Sequence, residues 1–258
     1  MLSRPEFLIE LARRRILERY IGSSIVVLWV LIAPLIPLAM NLAVFYFIAQ
    51  IPAIQSMGVA TYAIYIFSGL LPFRIMQNSV TEASELLVSN IEMLKSVNFP
   101  LSYLSMAAVA ALMLEFGIQS ALMLTLLLVS GSGISSNILL LPFAVALLIM
   151  FLLGVSWTIS VAVYFLRDLR EVLAVVFPVL LYLSPIMYPL EVAPPLMREL
   201  ILLNPISHFV IAFRDALLSS SDALHWDSWF FAAATAVLVF GIGRLAIYRT
   251  QRFVGDMI

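Results

Sequence analysis

The chain has 258 residues, 63% of them hydrophobic and 11% charged, and a formal net charge of -1. Soluble domains carry roughly 25% charged residues, so a globule of this length could not hide so much apolar surface and lipid must cover it. The charge balance argues against a nucleic-acid partner, which needs a basic surface, and the lack of cysteine rules out disulfides and thiolate metal sites.

The chain opens with residues 3–19, which read as a helix lying in the membrane surface. Ser3 and Glu6 have capping-box spacing and Pro5 sits in the first turn. Leu8, Ile9, Ala12 and Ile16 fall on one face, and Glu6, Glu10, Arg13 and Arg14 on another, with Glu10 and Arg14 at i,i+4. A solvated linker is the alternative. The apolar run that follows is too long for the core of a cleaved leader and lacks an evident small-residue cleavage site, so it is expected to stay in the mature protein.

Crossing a ~30 Å hydrocarbon core takes about 20 mostly apolar residues. Residues 24–49, 62–78, 101–129, 138–166 and 229–248 meet that test, and a shorter stretch, 172–188, holds Pro178 and Pro185. The fold class expected is therefore an all-α integral membrane protein with six transmembrane helices. Between spans two and three, residues 82–97 read as an amphipathic helix with Leu87, Ile91 and Leu94 on its apolar stripe and Glu85, Glu92 and Lys95 on its polar face, a solvated linker again being the alternative. The connection 189–227 holds apolar pieces too short to cross, broken by proline. At membrane depth such pieces must be shielded by protein or line a wet cavity, so a re-entrant helical pair is expected there, with a loop on the lipid surface as the alternative.

Six crossings put twelve of the 14 basic residues on one side, leaving only Arg198 and Arg214 on the other. The positive-inside rule then places both termini and the 82–97 helix in the cytoplasm.

No phosphate-binding loop is present. The sole lysine, Lys95, lies in Met93-Leu94-Lys95-Ser96 with no glycine nearby. His208 and His225 are isolated and lack zinc-ligand spacing, and no nucleophile elbow occurs. The chain is thus read as non-enzymatic, with no metal site. Glu115 lies about 21 Å along span three from Leu101, with Gln119 on the same face at i+4. An intramembrane carboxylate of this kind serves either a proton-coupled carrier or a hydrogen-bonded helix contact. Arg74 sits roughly 10 Å or more away in depth, which disfavours a direct pair. Tyr62 and Tyr65 share a helix face at i,i+3, Tyr182 and Tyr188 end span five, and Trp226 and Trp229 begin span six. Such rings either form the interfacial belt, the reading taken for Trp226 and Trp229, or line a path for sugars, whose C–H groups stack on flat rings.

These residues resemble the membrane subunits of polysaccharide-exporting ABC transporters of the type-two exporter class, the exporters of O-antigen, capsule and teichoic acid. The resemblance runs over nearly the whole chain. It is carried by Arg19-Tyr20, Leu28-Trp29 and Pro34, by Ser68-Gly69-Leu70-Leu71-Pro72-Phe73, and by Ser89-Asn90, Leu94-Lys95 and Phe99-Pro100. It continues in Phe165-Leu166-Arg167-Asp168-Leu169, Ser184-Pro185-Ile186-Met187-Tyr188-Pro189 and Asn204-Pro205.

The resemblance implies a half-transporter in the bacterial inner membrane. Two copies form a channel for a polysaccharide, with or without a lipid anchor, and two copies of a separate ATPase dock below. This chain would bind no cofactor, ATP and Mg belonging to the partner. The 82–97 helix, with Glu85, Leu87, Asn90, Ile91, Glu92, Leu94 and Lys95, would couple to the ATPase. The N-terminal helix, with Glu10, Arg13 and Arg14, would touch it too. Tyr62, Tyr65, Tyr182 and Tyr188 would line the channel. ATP-driven closure of the partner would move spans one and five across the dimer interface. The rival readings are a proton-coupled carrier working through Glu115 and an ABC exporter of drugs or lipids.

Overall fold

The computed structural model describes residues 9–15, 24–89, 101–131, 136–218 and 224–255; at 24–27, 87–89, 101 and 252–255 only the backbone is described. Every regular element among them is helical. Residues 9–15 form α1. Helix α2 (Ser24–Leu42) runs directly into a π-helical turn (Ala43–Ile48), and a short α3 (Pro52–Gln55) caps the bend. There follow α4 (Val59–Ser89), α5 (Leu101–Val129), α6 (Leu141–Phe165, entered through a 3-10 turn at Ser136–Leu140) and α7 (Leu169–Tyr182). The chain ends with α8 (Pro195–Leu203), α9 (Pro205–Leu218) and α10 (Trp226–Gly255).

Five of these stretches are long and apolar enough to cross a bilayer unaided, or six if the bent pair α8–α9 is taken as one. Span three coincides with its expected bounds. Span two does not: it was expected at 62–78, but α4 runs unbroken for 31 residues. Hydrogen bonding along a helix has no reason to stop where lipid gives way to water. The first half of the expected 82–97 helix is therefore the last two turns of α4, and the rest of it lies outside the described residues. The expected span at 172–188 also changes. α7 has 14 residues, about 21 Å at 1.5 Å per residue, and the chain leaves the helix at Leu183, just before Pro185, which cannot donate to a helix ladder.

Helix α4 is the centre of the bundle. In its most apolar stretch 67% of residues are buried, against 11% in α2, so α2 leaves most of its surface to lipid or a partner. Phe67, Leu70, Leu71, Phe73 and Met76 of α4 pack into one core with Leu112 and Phe116 of α5, Leu148 and Leu152 of α6, and Phe209 and Phe213 of α9. Phe116 meets Phe213 edge-on at 5.6 Å. Helices α6 and α10 cross at glycines. A Cβ on Gly154 would lie 2.5 Å from the backbone nitrogen of Phe240, and one on Gly243 would lie 2.3 Å from the Gly154 carbonyl oxygen. Small residues let two backbones meet where lipid supplies no hydrophobic drive.

Where a re-entrant pair was expected, two short helices are found: α8 and α9 meet at 91° about Asn204. α1 also rests on the bundle. Ile9, on the face expected to meet lipid, is 65% exposed, and Leu11 packs against Leu86 of α4 and Leu104 and Ala108 of α5.

Candidate functional site

Three segments far apart in sequence converge where α4, the chain after α7 and the α8–α9 pair meet. The anchor is Ser184-Pro185-Ile186-Met187, all four buried. Without helical hydrogen bonding, its carbonyls need outside donors, and α4 supplies them. The Tyr62 hydroxyl donates to the Met187 carbonyl at 2.5 Å and the Tyr65 hydroxyl to that of Tyr188 at 3.3 Å. One turn on, Gly69 allows the segment to come close: a Cβ there would stand 3.3 Å from Ile186 Cα and 3.0 Å from Arg214 Nη2.

Arg214 of α9 closes the cluster. Its Nη1 donates to the Pro185 carbonyl at 2.7 Å, and its Nη2 donates to the carbonyls of Tyr65 (3.3 Å) and Ile186 (3.5 Å). The guanidinium carbon lies 3.6 Å from the Tyr65 ring centroid, a cation–π contact. Tyr65 in turn stacks on Tyr62 at 6.4 Å, and Tyr62 lies 6.0 Å from Tyr46 of the π-helical turn. A column of three phenol rings therefore ends in a half-buried cation held by carbonyl dipoles.

Asn204, at the corner of the bent pair, donates to the Leu183 carbonyl and to Ser184 Oγ, both at 3.0 Å, and its Oδ1 accepts from the Ile206 N–H at 3.1 Å. The motifs Ser68-Gly69, Ser184-Pro185 and Asn204-Pro205 thus meet at one place. Next to Arg214, buried Asp215 accepts from the His225 backbone N–H and Nδ1, both at 2.9 Å, and from Trp229 Nε1 at 3.2 Å. This fastens α9 to the start of α10. His208 adds a second tie: its Nε2 faces the Leu202 carbonyl at 2.8 Å and so donates, while its Nδ1 faces Ser228 Oγ at 3.2 Å.

The tyrosines expected to line a channel therefore divide. Tyr62 is completely buried and its hydroxyl is committed, so it offers nothing to a passing sugar; it is a fastener. Tyr65 and Tyr188 are half-buried, and the Tyr188 hydroxyl donates to the Tyr182 carbonyl at 2.6 Å. Tyr182 is 57% exposed. Trp229, assigned to the interfacial belt, is instead buried against Asp215 and stacked on Phe143 at 5.9 Å, while Trp226 is 64% exposed. Glu115 accepts from Gln119 at 3.1 Å, as their spacing suggested.

At the opposite end of α4, Glu85 forms an ion pair with Arg170 of α7. In α1, Glu10 pairs with Arg13 at 3.6 Å. Asn90, Ile91, Glu92, Leu94 and Lys95 lie outside the described residues, as does the side chain of Leu87.

Sequence reasoning missed Arg214 and Asp215 as a site. The signal was there: two adjacent charges inside the apolar run of α9, where an ionisable residue needs a partner.

The family of ABC-2 type transporters matches residues 6–218. Among curated proteins, the chain is 23% identical over 238 residues to the O-antigen export system permease protein RfbA of Klebsiella pneumoniae, covering 92% of this chain and 90% of that one. It is 23% identical over 209 residues to the protein of the same name from Myxococcus xanthus (80% and 78% covered) and 26% identical over 229 residues to the polysialic acid transport protein KpsM of Escherichia coli (87% and 85%). The match spans α1 through α9, including every segment of the Arg214 cluster, and the chain belongs to the ABC-2 type transporter family.

Proposed function

We propose that this chain is the membrane subunit of an ATP-driven exporter that moves a polysaccharide, lipid-linked and of the O-antigen or capsule kind, across the bacterial inner membrane. The observation that carries the reading is coverage. Relatives named for O-antigen export and for polysialic acid transport align over nearly their whole lengths, so the likeness extends beyond one shared motif.

Two copies of the chain enclose the path, and two copies of a separate ATPase power it, holding ATP and Mg that this chain does not bind. Both termini face the cytoplasm, in line with the concentration of basic residues there. The ATPase presses on the α4–α5 connection, where Glu85 and Arg170 join α4 to α7, and on α1. A push there is delivered to α7 and, through the Ser184–Met187 segment, to the bent pair; α2, α7 and their partner copies shift and the path opens. Tyr182, exposed beside that segment, is the ring placed to touch the polymer.

The test is genetic and biochemical together. Deleting the chain should leave glycan inside the cell, and supplying it with its ATP-binding partner should restore surface glycan. The purified pair should hydrolyse ATP faster with the lipid-linked glycan than without it. Surface glycan that persists after deletion, or export by this chain with no ATPase, would overturn the reading.

A further inference from the structure

We infer that a polar stripe on α4, ending at Arg74, is a binding site for a phosphate or diphosphate group carried on a lipid. Arg74, Asn78, Thr81 and Glu85 follow one another at i, i+4, i+7 and i+11, and so fall within an arc of about 60° on one helix face. Gln77 flanks them. None of the five is buried, although their neighbours Phe73, Ile75, Met76 and Val80 all are. The stripe borders a cleft of about 300 Å³ between α4 and α7, lined by Gln77, Thr81 and Ser84 on one side and Arg170, Glu171 and Phe177 on the other.

The charges along the stripe are unequally satisfied. Arg170 is paired with Glu85 at the mouth, and Glu171 also stands there. Arg74 lies roughly 16 Å further along the helix axis, and among the described residues it makes neither an ion pair nor a side-chain hydrogen bond. Arg214 makes an informative contrast, because its charge is met by three carbonyls and a ring. A guanidinium inside a span is costly unless water or an anion reaches it, and Arg74 stands less than one turn from Gln77, which lines the cleft. A guanidinium fork matches phosphate oxygens bidentately, and a phosphate borne on a lipid can reach the site from the leaflet. This inference rests on the proposed export function, since a lipid-linked glycan carries such a group; ordinary anionic phospholipid offers the same chemistry.

The test uses the full chain in phosphatidylcholine nanodiscs, with a fluorescent short-chain polyprenyl diphosphate as probe. Wild type should bind it, Arg74→Gln should weaken binding at least tenfold, and Arg74→Lys should recover part of the loss. Gln77→Leu with Thr81→Val, which leaves Arg74 in place, should weaken binding several-fold and keeps the idea testable if Arg74→Gln does not fold. Displacement by unlabelled carrier diphosphate but not by phosphatidylglycerol assigns the site to cargo. Equal displacement by phosphatidylglycerol assigns it to bilayer lipid and still supports phosphate recognition. Binding by Arg74→Gln equal to wild type, or displacement by phosphate-free polyprenol as effective as by the diphosphate, overturns the inference. Glycan export by wild type, scored in parallel, separates the two failures: export with Arg74-independent binding sinks this site alone, and absent wild-type export sinks the function.

Discussion

The Arg214 guanidinium carbon stands 3.6 Å from the centre of the Tyr65 ring. The two residues come from α9 and α4, and the Ser184–Met187 segment is fastened to both. This contact links the central helix, the end of α7 and the bent pair, so a displacement of any one is felt by the others.

Removing that cation should be costly. Arg214→Met strands the Pro185, Tyr65 and Ile186 carbonyls away from a donor, at about 1–3 kcal/mol for each group left unsatisfied. We expect a loss of several kcal/mol, read as a lowered Tm in detergent. Arg214→Lys should restore only part of it, because an ammonium lacks the planar fork that spans separate carbonyls. A Tm equal to wild type in Arg214→Met would show that the cluster is not held by this group.

Tyr62 and Tyr182 should separate anchoring from transport. Tyr62→Phe leaves the buried Met187 carbonyl without its donor and should cost about 1–3 kcal/mol. Tyr182→Ala removes an exposed ring and should leave stability within about 0.5 kcal/mol of wild type while slowing glycan export. Thermal unfolding and surface-glycan labelling on the same pair of variants check both. Normal export by Tyr182→Ala would remove it from the sugar path.

The Asp215 carboxylate receives hydrogen bonds from His225 and Trp229 across the α9–α10 join. Asp215→Ala leaves those three donors without their acceptor and should cost several kcal/mol, since each hydrogen bond to a carboxylate is worth about 1.5–3 kcal/mol. Trp229→Phe removes a single donor and should cost less. Loss of the hydrogen bond and loosened packing should also shift Trp229 emission in Asp215→Ala, and an unchanged spectrum would argue against the contact.

Gly243→Ala forces a methyl group into the Gly154 backbone. Overpacking of this kind costs about 1–3 kcal/mol, and the helices must separate to relieve it. Gly241→Ala serves as the control, because a Cβ at Gly241 meets nothing within 4 Å. Equal stability of the two variants would contradict the close crossing.

The Glu85–Arg170 pair is about half exposed on both sides, so its stability contribution should be small, about 0–1 kcal/mol. Glu85→Ala should therefore keep its Tm but lower ATP-driven export if this contact transmits the push. Unchanged export would leave the pair a surface contact.

Much of the architecture was legible in the residues themselves. Hydrophobic runs of membrane length located the long spans, and proline density together with short apolar pieces located the bent pair, because a backbone in lipid has few ways to satisfy itself. Basic-residue asymmetry suggested an orientation by the same kind of local reasoning. Periodicity could not say which faces are buried. Tyr62 and Tyr65 sit on one helix face, yet one is sealed under Met187 and the other supports a cation, because that outcome depends on a segment more than a hundred residues away. Arg214 and Asp215 are adjacent in sequence and serve opposite neighbours, a division that only the packing of α9 between α4 and α10 could decide. A solvent imposes itself on each residue separately and can be read along the chain; a hydrogen bond needs its partner in place, and the tertiary structure alone supplies that.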